Sequence, residues 1–474
     1  MLLRGIASLC LLALLCACAT NPVTGGSDFV LMSEVEELNV GRKADQDIKK
    51  QYALYDENGI AAYVSEIGQR AAAASHRPGL SYRFTVLDTT EINAFALPGG
   101  YIYITRGLMA FLNSEAELAA VLGHEIGHVT ARHSVRQMSA AQSADILITI
   151  ASVLSPSLRN EAAQNVTGLL GNALLSGYGR DHELEADRLG AEYLARTGYD
   201  PQAMIRVIGV LKNQELFDAQ LAKQEGREPR AYHGVFESHP DNDTRLQQTV
   251  SASEKLRAGA RGDGREEFLK RTSGMIYGDS PRDGILRNGV FYHTGLGLAL
   301  TPPRDWRVQN LPDRLIMVAP GGDTRLVVRL QPKPNKEPIA VLRANSQIGK
   351  DIETTPVNGL PAAAATGQAV VAGVVYFGDN MMTFNAASKS ANISEAHARA
   401  ARDTIRSFHR MSDAERALAK PLRLKTISAG ATTRFADLAA NSPLGTNAET
   451  LLRLINGAYP SGEAREGQLL KVVE

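Results

Sequence analysis

Acidic and apolar residues recur at helical spacing from Ser33 to about Tyr52, which predicts a helix there, and a second fits residues 60–74. Short runs rich in β-branched and aromatic residues follow at 82–87, 94–96 and 101–104, the last two separated by Leu97-Pro98-Gly99-Gly100, a turn sequence. From Ser114 to about Tyr199 the pattern is helical almost throughout. The helix ending near Thr197 stops at Gly198, and Asp200-Pro201 opens the next. Beyond about Val290 the alternation turns β-like, at 298–300, 316–318, 326–328 and 370–377, before a helix over 394–408. No internal repeat is visible.

Gly and Arg accumulate over 258–265, so a linker is expected over 258–284, between a largely helical unit at 19–257 and an α+β unit at 285–411. A last segment of about fifty residues, 421–474, follows Ala417-Leu418-Ala419-Lys420-Pro421. Residues 146–154 form an apolar stretch too short to cross a bilayer. Two roles stay open for it: core packing, or a lid or membrane-facing helix over a cleft.

The N-terminus changes the picture. Arg4 supplies a positive charge, an apolar run occupies 6–15, and Leu15-Cys16-Ala17-Cys18 resembles a bacterial lipobox. Residues 1–18 are therefore expected to be a lipoprotein signal peptide with Cys18 the lipidated residue, and Asn21 to Thr24 a short tether. Ordinary cleavage near Ala17 or Ala19 is the alternative. Ala19 after the cysteine favours, by the same resemblance, the outer membrane, with the chain in the periplasm. All three cysteines, Cys10, Cys16 and Cys18, lie in this segment, which suits an oxidising compartment without disulfides. Lys+Arg and Asp+Glu both number 51, so no basic face emerges and no nucleic-acid partner is expected.

Candidate chemistry centres on His124-Glu125-Ile126-Gly127-His128. On a helix, residues i and i+4 lie one above the other, so both imidazoles can face one metal ion, and Glu125 can reach a water on that metal without ligating it. Ser114 and Glu117 predict a capping box at the helix start, and Leu118, Val121, Leu122 and Val129 give it an apolar face. Gly123 and Gly127 would let another backbone approach closely. A catalytic zinc takes three protein ligands and keeps an open position. Glu183-Leu184-Glu185-Ala186-Asp187 offers two carboxylates at i, i+4, one to ligate and one to orient a ligand imidazole.

These motifs resemble the HtpX-, BepA- and LoiP-type zinc metallopeptidases, the gluzincin family that includes the CAAX prenyl protease. The pieces are Asn93-Ala94-Phe95-Ala96-Leu97-Pro98-Gly99-Gly100, the His124 to His128 motif, the Glu183 to Asp187 run, and Ser238-His239-Pro240 followed by Arg245. Asn21-Pro22-Val23-Thr24-Gly25 resembles the exported lipoprotein branch. The likeness covers roughly 20–257. It implies a mainly α, zincin-like domain with a small β-sheet and one Zn2+ per chain. It implies His124, His128 and Glu183 as ligands, Glu125 as general base, and Asp187 as the carboxylate behind a ligand. It also implies His239 and Arg245 on the far side of the metal, where His239 has two open roles: oxyanion stabiliser or inhibitory fourth ligand.

By the same resemblance the chain is expected to be a protein-quality-control endopeptidase of the cell envelope. It would cut misfolded or unassembled proteins with metal-activated water, Asn93, Ala94, Phe95 and Ala96 receiving an extended substrate. The alternative is a chaperone or scaffold with latent protease activity. In the C-terminal half, His293 has no partner at ligand spacing and Trp306 reads as core. Residues 421–474 resemble a degenerate LysM module, with strands at 422–427 and 467–473 around helices at 434–440 and 450–454, and so a link to peptidoglycan. An unrelated βααβ cap fits as well.

Overall fold

The computed structural model describes residues 18–30, 32–141, 179–225, 229, 247, 250–256, 259, 261–311, 313–344, 348 and 352–474. His239, Arg245 and residues 146–154 lie outside the described residues. Two strands, β1 (Cys18–Thr20) and β2 (Ser27–Phe29), pair antiparallel. The expected tether is the turn between them, where Asn21 Oδ1 accepts from the backbone N–H of Val23 and Thr24.

Helix α1 (Glu34–Gln51) starts at a capping box, with the Ser33 hydroxyl on Glu36 N and the Glu36 carboxylate on Ser33 N. Its Ala44 and Ile48 pack on Phe95, Leu97, Tyr101 and Tyr103 of a three-stranded sheet. That sheet has the order β3 (Arg83–Leu87), β5 (Tyr101–Thr105), β4 (Ala94–Leu97), with β3 parallel and β4 antiparallel to β5. β4 and β5 are joined through Gly99 and Gly100 at φ 78° and 88°, conformations only glycine adopts without strain. Helix α2 (Ile60–Ala73) covers one side of the sheet, and α3 (Arg106–Phe111) continues from β5.

Helix α4 (Glu115–Thr130) is buried at every one of its positions, which makes it the core of this unit. Ser114 caps it by accepting from Glu117 N. The Glu117 carboxylate, however, takes the Asn113 N–H and not that of Ser114, so the expected reciprocal box is half formed. Helices α5 (His133–Ala141), α6 (Arg180–Arg196) and α7 (Ala203–Glu225) follow. α6 is followed by its cap Thr197 and then Gly198 at φ 82°, the stop the sequence predicts.

Where a linker was expected, the chain forms α8 (Arg265–Thr272) and strand β6 (Ile276–Tyr277), with Phe268, Leu269 and Met275 buried. Only the Gly/Arg-rich stretch before α8 has linker composition. The C-terminal segment runs β7 (Leu422–Ser428), α9 (Phe435–Ala440), α10 (Ala448–Ile455), β8 (Leu469–Val473), the βααβ order expected. β7 pairs with β8 on one side and with β6 on the other. Lys471, on β8, buries its ammonium between the carbonyls of Ala110 and Leu112. The segment therefore shares a compact unit with the helical region: residues 1–218, 230–277 and 423–474 against 219–229 and 278–422.

The second unit carries a seven-stranded antiparallel sheet in the order Arg307–Leu311, Arg314–Val318, Thr324–Pro332, Asn380–Ser388, Val370–Phe377, Ala362–Thr366, Ile352–Glu353. Helix Glu395–Ser407, capped by Ser394, buries Ala398, Ala401 and Ile405 against Phe384, Val371 and Trp306. Trp306 is core, as expected, and His293 Nδ1 accepts from Leu296 N.

Candidate metal centre

Two helices build the site, and small residues set how near they come. A Cβ on Gly127 would stand 2.9 Å from the Ala186 carbonyl oxygen, and one on Gly190 would stand 2.9 Å from His124 N. Without side chains at these contacts α4 and α6 pack almost backbone to backbone. That brings the i, i+4 pair of α4, His124 and His128, against the i, i+4 pair of α6, Glu183 and Asp187.

One ring nitrogen of each histidine and a Glu183 carboxylate oxygen lie within 4.8 Å of one another. His124 Nε2 and His128 Nε2 are 2.9 Å apart, and Glu183 stands 3.4 Å from the first and 3.8 Å from the second. Behind them, Asp187 Oδ1 accepts from His124 Nδ1 at 2.8 Å. The sequence reading of His124, His128, Glu183 and Asp187 as one constellation corresponds to this geometry.

Burial and mutual charge shift the titrations of His124, Glu125 and His128. Burial opposes a charge on His124, yet its bonds to Asp187 and Glu183 hold its pKa up, at about 10. Burial pushes His128 down, helped by repulsion from His124 and His133. Burial lifts the Glu125 carboxyl to about 7, His124 opposing and Glu183 adding to the shift. Two imidazoles and a carboxylate of this arrangement are the donor set of a catalytic zinc site, so the residues fit the ion the sequence implies.

The structure adds residues the sequence reading missed. His133 is fully buried, its Nδ1 2.9 Å from His128 Nδ1 and its Nε2 3.0 Å from Glu185 Oε2. Arg136 also holds Glu185, at 3.0 Å, and the His182 ring stacks on His133 at 4.4 Å between centroids. Burial lowers His133 to about 4, while the His133 bond lowers Glu185 to about 2. The turn that delivers His133 is pinned by α1: Glu37 accepts from Arg132 Nε and Arg77, both at 2.8 Å. A third histidine five residues after the motif was the available signal.

Strand β4 runs beside this centre, where Ala96, Leu97 and Pro98 share a small space with His128 and Val129. It is an edge of its sheet, and all of Asn93, Ala94, Phe95 and Ala96 are buried. Among the described residues no helix is long and apolar enough to cross a membrane.

Residues 60–252 match the model of Peptidase family M48. The chain is similar to the beta-barrel assembly-enhancing protease of Escherichia coli (strain K12), 28% identical over 244 residues, covering 50% of this chain and 48% of that protein. It is similar to the mitochondrial metalloendopeptidase OMA1 of Arabidopsis thaliana, 31% identical over 187 residues, 39% of this chain and 37% of the relative. Metalloprotease YcaL of Escherichia coli (strain K12) is 28% identical over 199 residues, 40% of this chain and 71% of the relative. The chain thus spans about half the length of the first of these. The histidines and carboxylates above lie within the matched region, and the chain carries a Peptidase family M48 domain over residues 60–252.

Proposed function

We propose that this chain is a zinc-dependent endopeptidase. The observation that carries the reading is the convergence of His124, His128 and Glu183 on one point, with Glu125 in the same helix turn, inside the M48 domain. His124, His128 and Glu183 would hold the ion. A zinc ion there supplies Lewis-acid polarisation of the scissile carbonyl and acidifies the attacking water. Glu125, a carboxyl with proton affinity near neutral pH, takes the proton from that water and returns it to the leaving amine. Asp187 keeps His124 oriented by accepting its Nδ1 proton.

β4 is the proposed substrate strand. Asn93 bonds inward to Thr105, so along the alternating ladder Ala94 and Ala96 turn their N–H and C=O to the outer edge, where an extended peptide can pair. Pairing through main-chain groups favours unfolded over folded chains. The proposed substrates are accordingly misfolded or unassembled envelope proteins, met in the periplasm by a chain anchored through lipid on Cys18. His239 and Arg245 keep their proposed place across the ion, as oxyanion stabiliser or inhibitory ligand. In residues 421–474, read as a LysM-like hold on peptidoglycan, β6 completes the sheet and the Lys471 ammonium is buried inside the helical unit, so neither is free to meet a glycan.

Degradation of casein by the zinc-loaded protein, beside Glu125→Gln, tests the reading. Cleavage by the first and none by the second supports it. Silence from both, persisting in His239→Ala, turns the reading toward a chaperone or scaffold.

A further inference from the structure

Which nitrogen of His128 can face a metal depends on what its other nitrogen touches. Its Nδ1 lies 2.9 Å from His133 Nδ1, and two imidazole nitrogens that close share one proton. Glu185 decides which ring supplies it. An ionised carboxylate only accepts, and Glu185 already accepts from Arg136, so His133 presents its N–H at Nε2, 3.0 Å from Glu185 Oε2. His133 Nδ1 is then a bare acceptor, and His128 Nδ1 must be the donor. That leaves His128 Nε2 without a proton, pointing at His124 Nε2 and Glu183.

We propose that His133, oriented by Glu185, is the positioning residue that fixes the tautomer and ring plane of His128 as a metal ligand. The inference rests on the metallopeptidase reading of the site. It makes the two ligand histidines unequal in their support. His124 leans directly on a carboxylate, Asp187, while His128 leans on a carboxylate through a second imidazole. The relay is built into the fold at three points. Arg132, at φ 56°, ends α4 and turns the chain back so that His133 meets the face it has just left. Glu37 bonds Arg132 from α1, and the stacked His182 ring of α6 covers the flat face of His133. A histidine that merely filled space would need none of these directional contacts.

The test is zinc affinity by chelator competition, together with the visible absorption of the Co2+-loaded protein, on the full chain. His133→Phe keeps a ring and removes the acceptor. It is expected to weaken zinc binding about 10- to 100-fold and to change the Co2+ spectrum, as loss of a ligand's partner does. His133→Asn places an amide oxygen near the position of Nδ1 and should recover most of that loss. If the Phe variant fails to fold, Glu185→Met carries the test. It removes the oxygen that accepts from both His133 Nε2 and Arg136, so nothing holds the His133 proton on Nε2, and zinc binding should fall several-fold. Wild-type affinity and spectrum in His133→Phe, or equal impairment of Phe and Asn, would overturn the proposal. So would an unchanged Glu185→Met. Wild-type protein that takes up no zinc, or His128→Ala that binds it as tightly as wild type, overturns the metal reading itself.

Discussion

Gly127 meets Ala186 so closely that a Cβ on the glycine would stand 2.9 Å from the alanine's carbonyl oxygen and 3.1 Å from its Cα. Both contacts are backbone, so neither can rotate away, and relief requires α4 and α6 to separate. These helices carry the two halves of the donor set. Gly127→Ala should therefore cost about 1–3 kcal/mol, the usual range for overpacking a tight interior, and should lower zinc affinity as well. A melting curve with and without zinc checks both. The metal-dependent part of the stabilisation should shrink along with the stability of the metal-free protein.

Asp187 supports His124 from behind, and it does so with charge as well as geometry. Asp187→Asn keeps the shape and removes the charge. Zinc affinity should drop about 10- to 100-fold, read by chelator competition. In the metal-free protein the His124 titration should move down from about 10, because the negative charge behind the largest of the bonds that raise it is lost. Imidazole NMR signals against pH would follow it, and an unmoved His124 would contradict the assignment.

The sequence made one half of this site readable and hid the other, for a geometric reason. His124 and His128, and Glu183 and Asp187, are i, i+4 pairs, and helical periodicity alone puts each pair on one face. Gly127 was readable too, as a place where another backbone could approach the two histidines. Glu185 lies only two residues from Glu183, a spacing that turns it to a different side of α6. His133 comes after the positive-φ turn at Arg132, beyond the reach of the α4 period. The same limit applies to α8, whose Phe268 and Leu269 are the apolar residues of an otherwise polar, mostly charged octet. It applies again to Lys471, which reads as a polar strand residue and is buried.

Lys471 joins β8 to the end of α3 by donating at 2.7 Å to Ala110 O and 2.6 Å to Leu112 O. Those carbonyls end a helix and have no further turn to bond them. Burial holds the Lys471 pKa well below its ordinary value, so the site disfavours charge, and Glu117 opposes this only in part. Lys471→Met removes that burden but strands two acceptors, each costing about 1–3 kcal/mol. The net result should be destabilisation by about 2–4 kcal/mol, seen as a lower urea midpoint of the unit that carries the candidate metal centre. An unchanged midpoint would mean the C-terminal segment docks without this contact.

The second unit offers a pH signature of its own. His409 Nε2 bonds Glu415 Oε1 at 2.7 Å, and His409 Nδ1 donates to the Ser407 carbonyl. Burial works against the charged imidazole, but the Ser407 and Glu415 bonds outweigh it and raise its pKa above the ordinary 6.5. On the other side, burial works against the Glu415 carboxylate, yet Ser412 and His409 pull its pKa below 4.5. The signs then fix the window. A raised histidine stabilises fully below 6.5 and loses its contribution as pH climbs through the folded value. A lowered glutamate stabilises fully above 4.5 and loses its contribution as pH falls through the folded value. Both act together only between about 4.5 and 6.5, and a pair this accessible contributes on the order of 0.5–1 kcal/mol. The difference in melting temperature between wild type and His409→Gln should therefore be largest near the middle of that window and shrink toward both pH 3 and pH 9. A difference that stays constant with pH would show that His409 acts through packing alone.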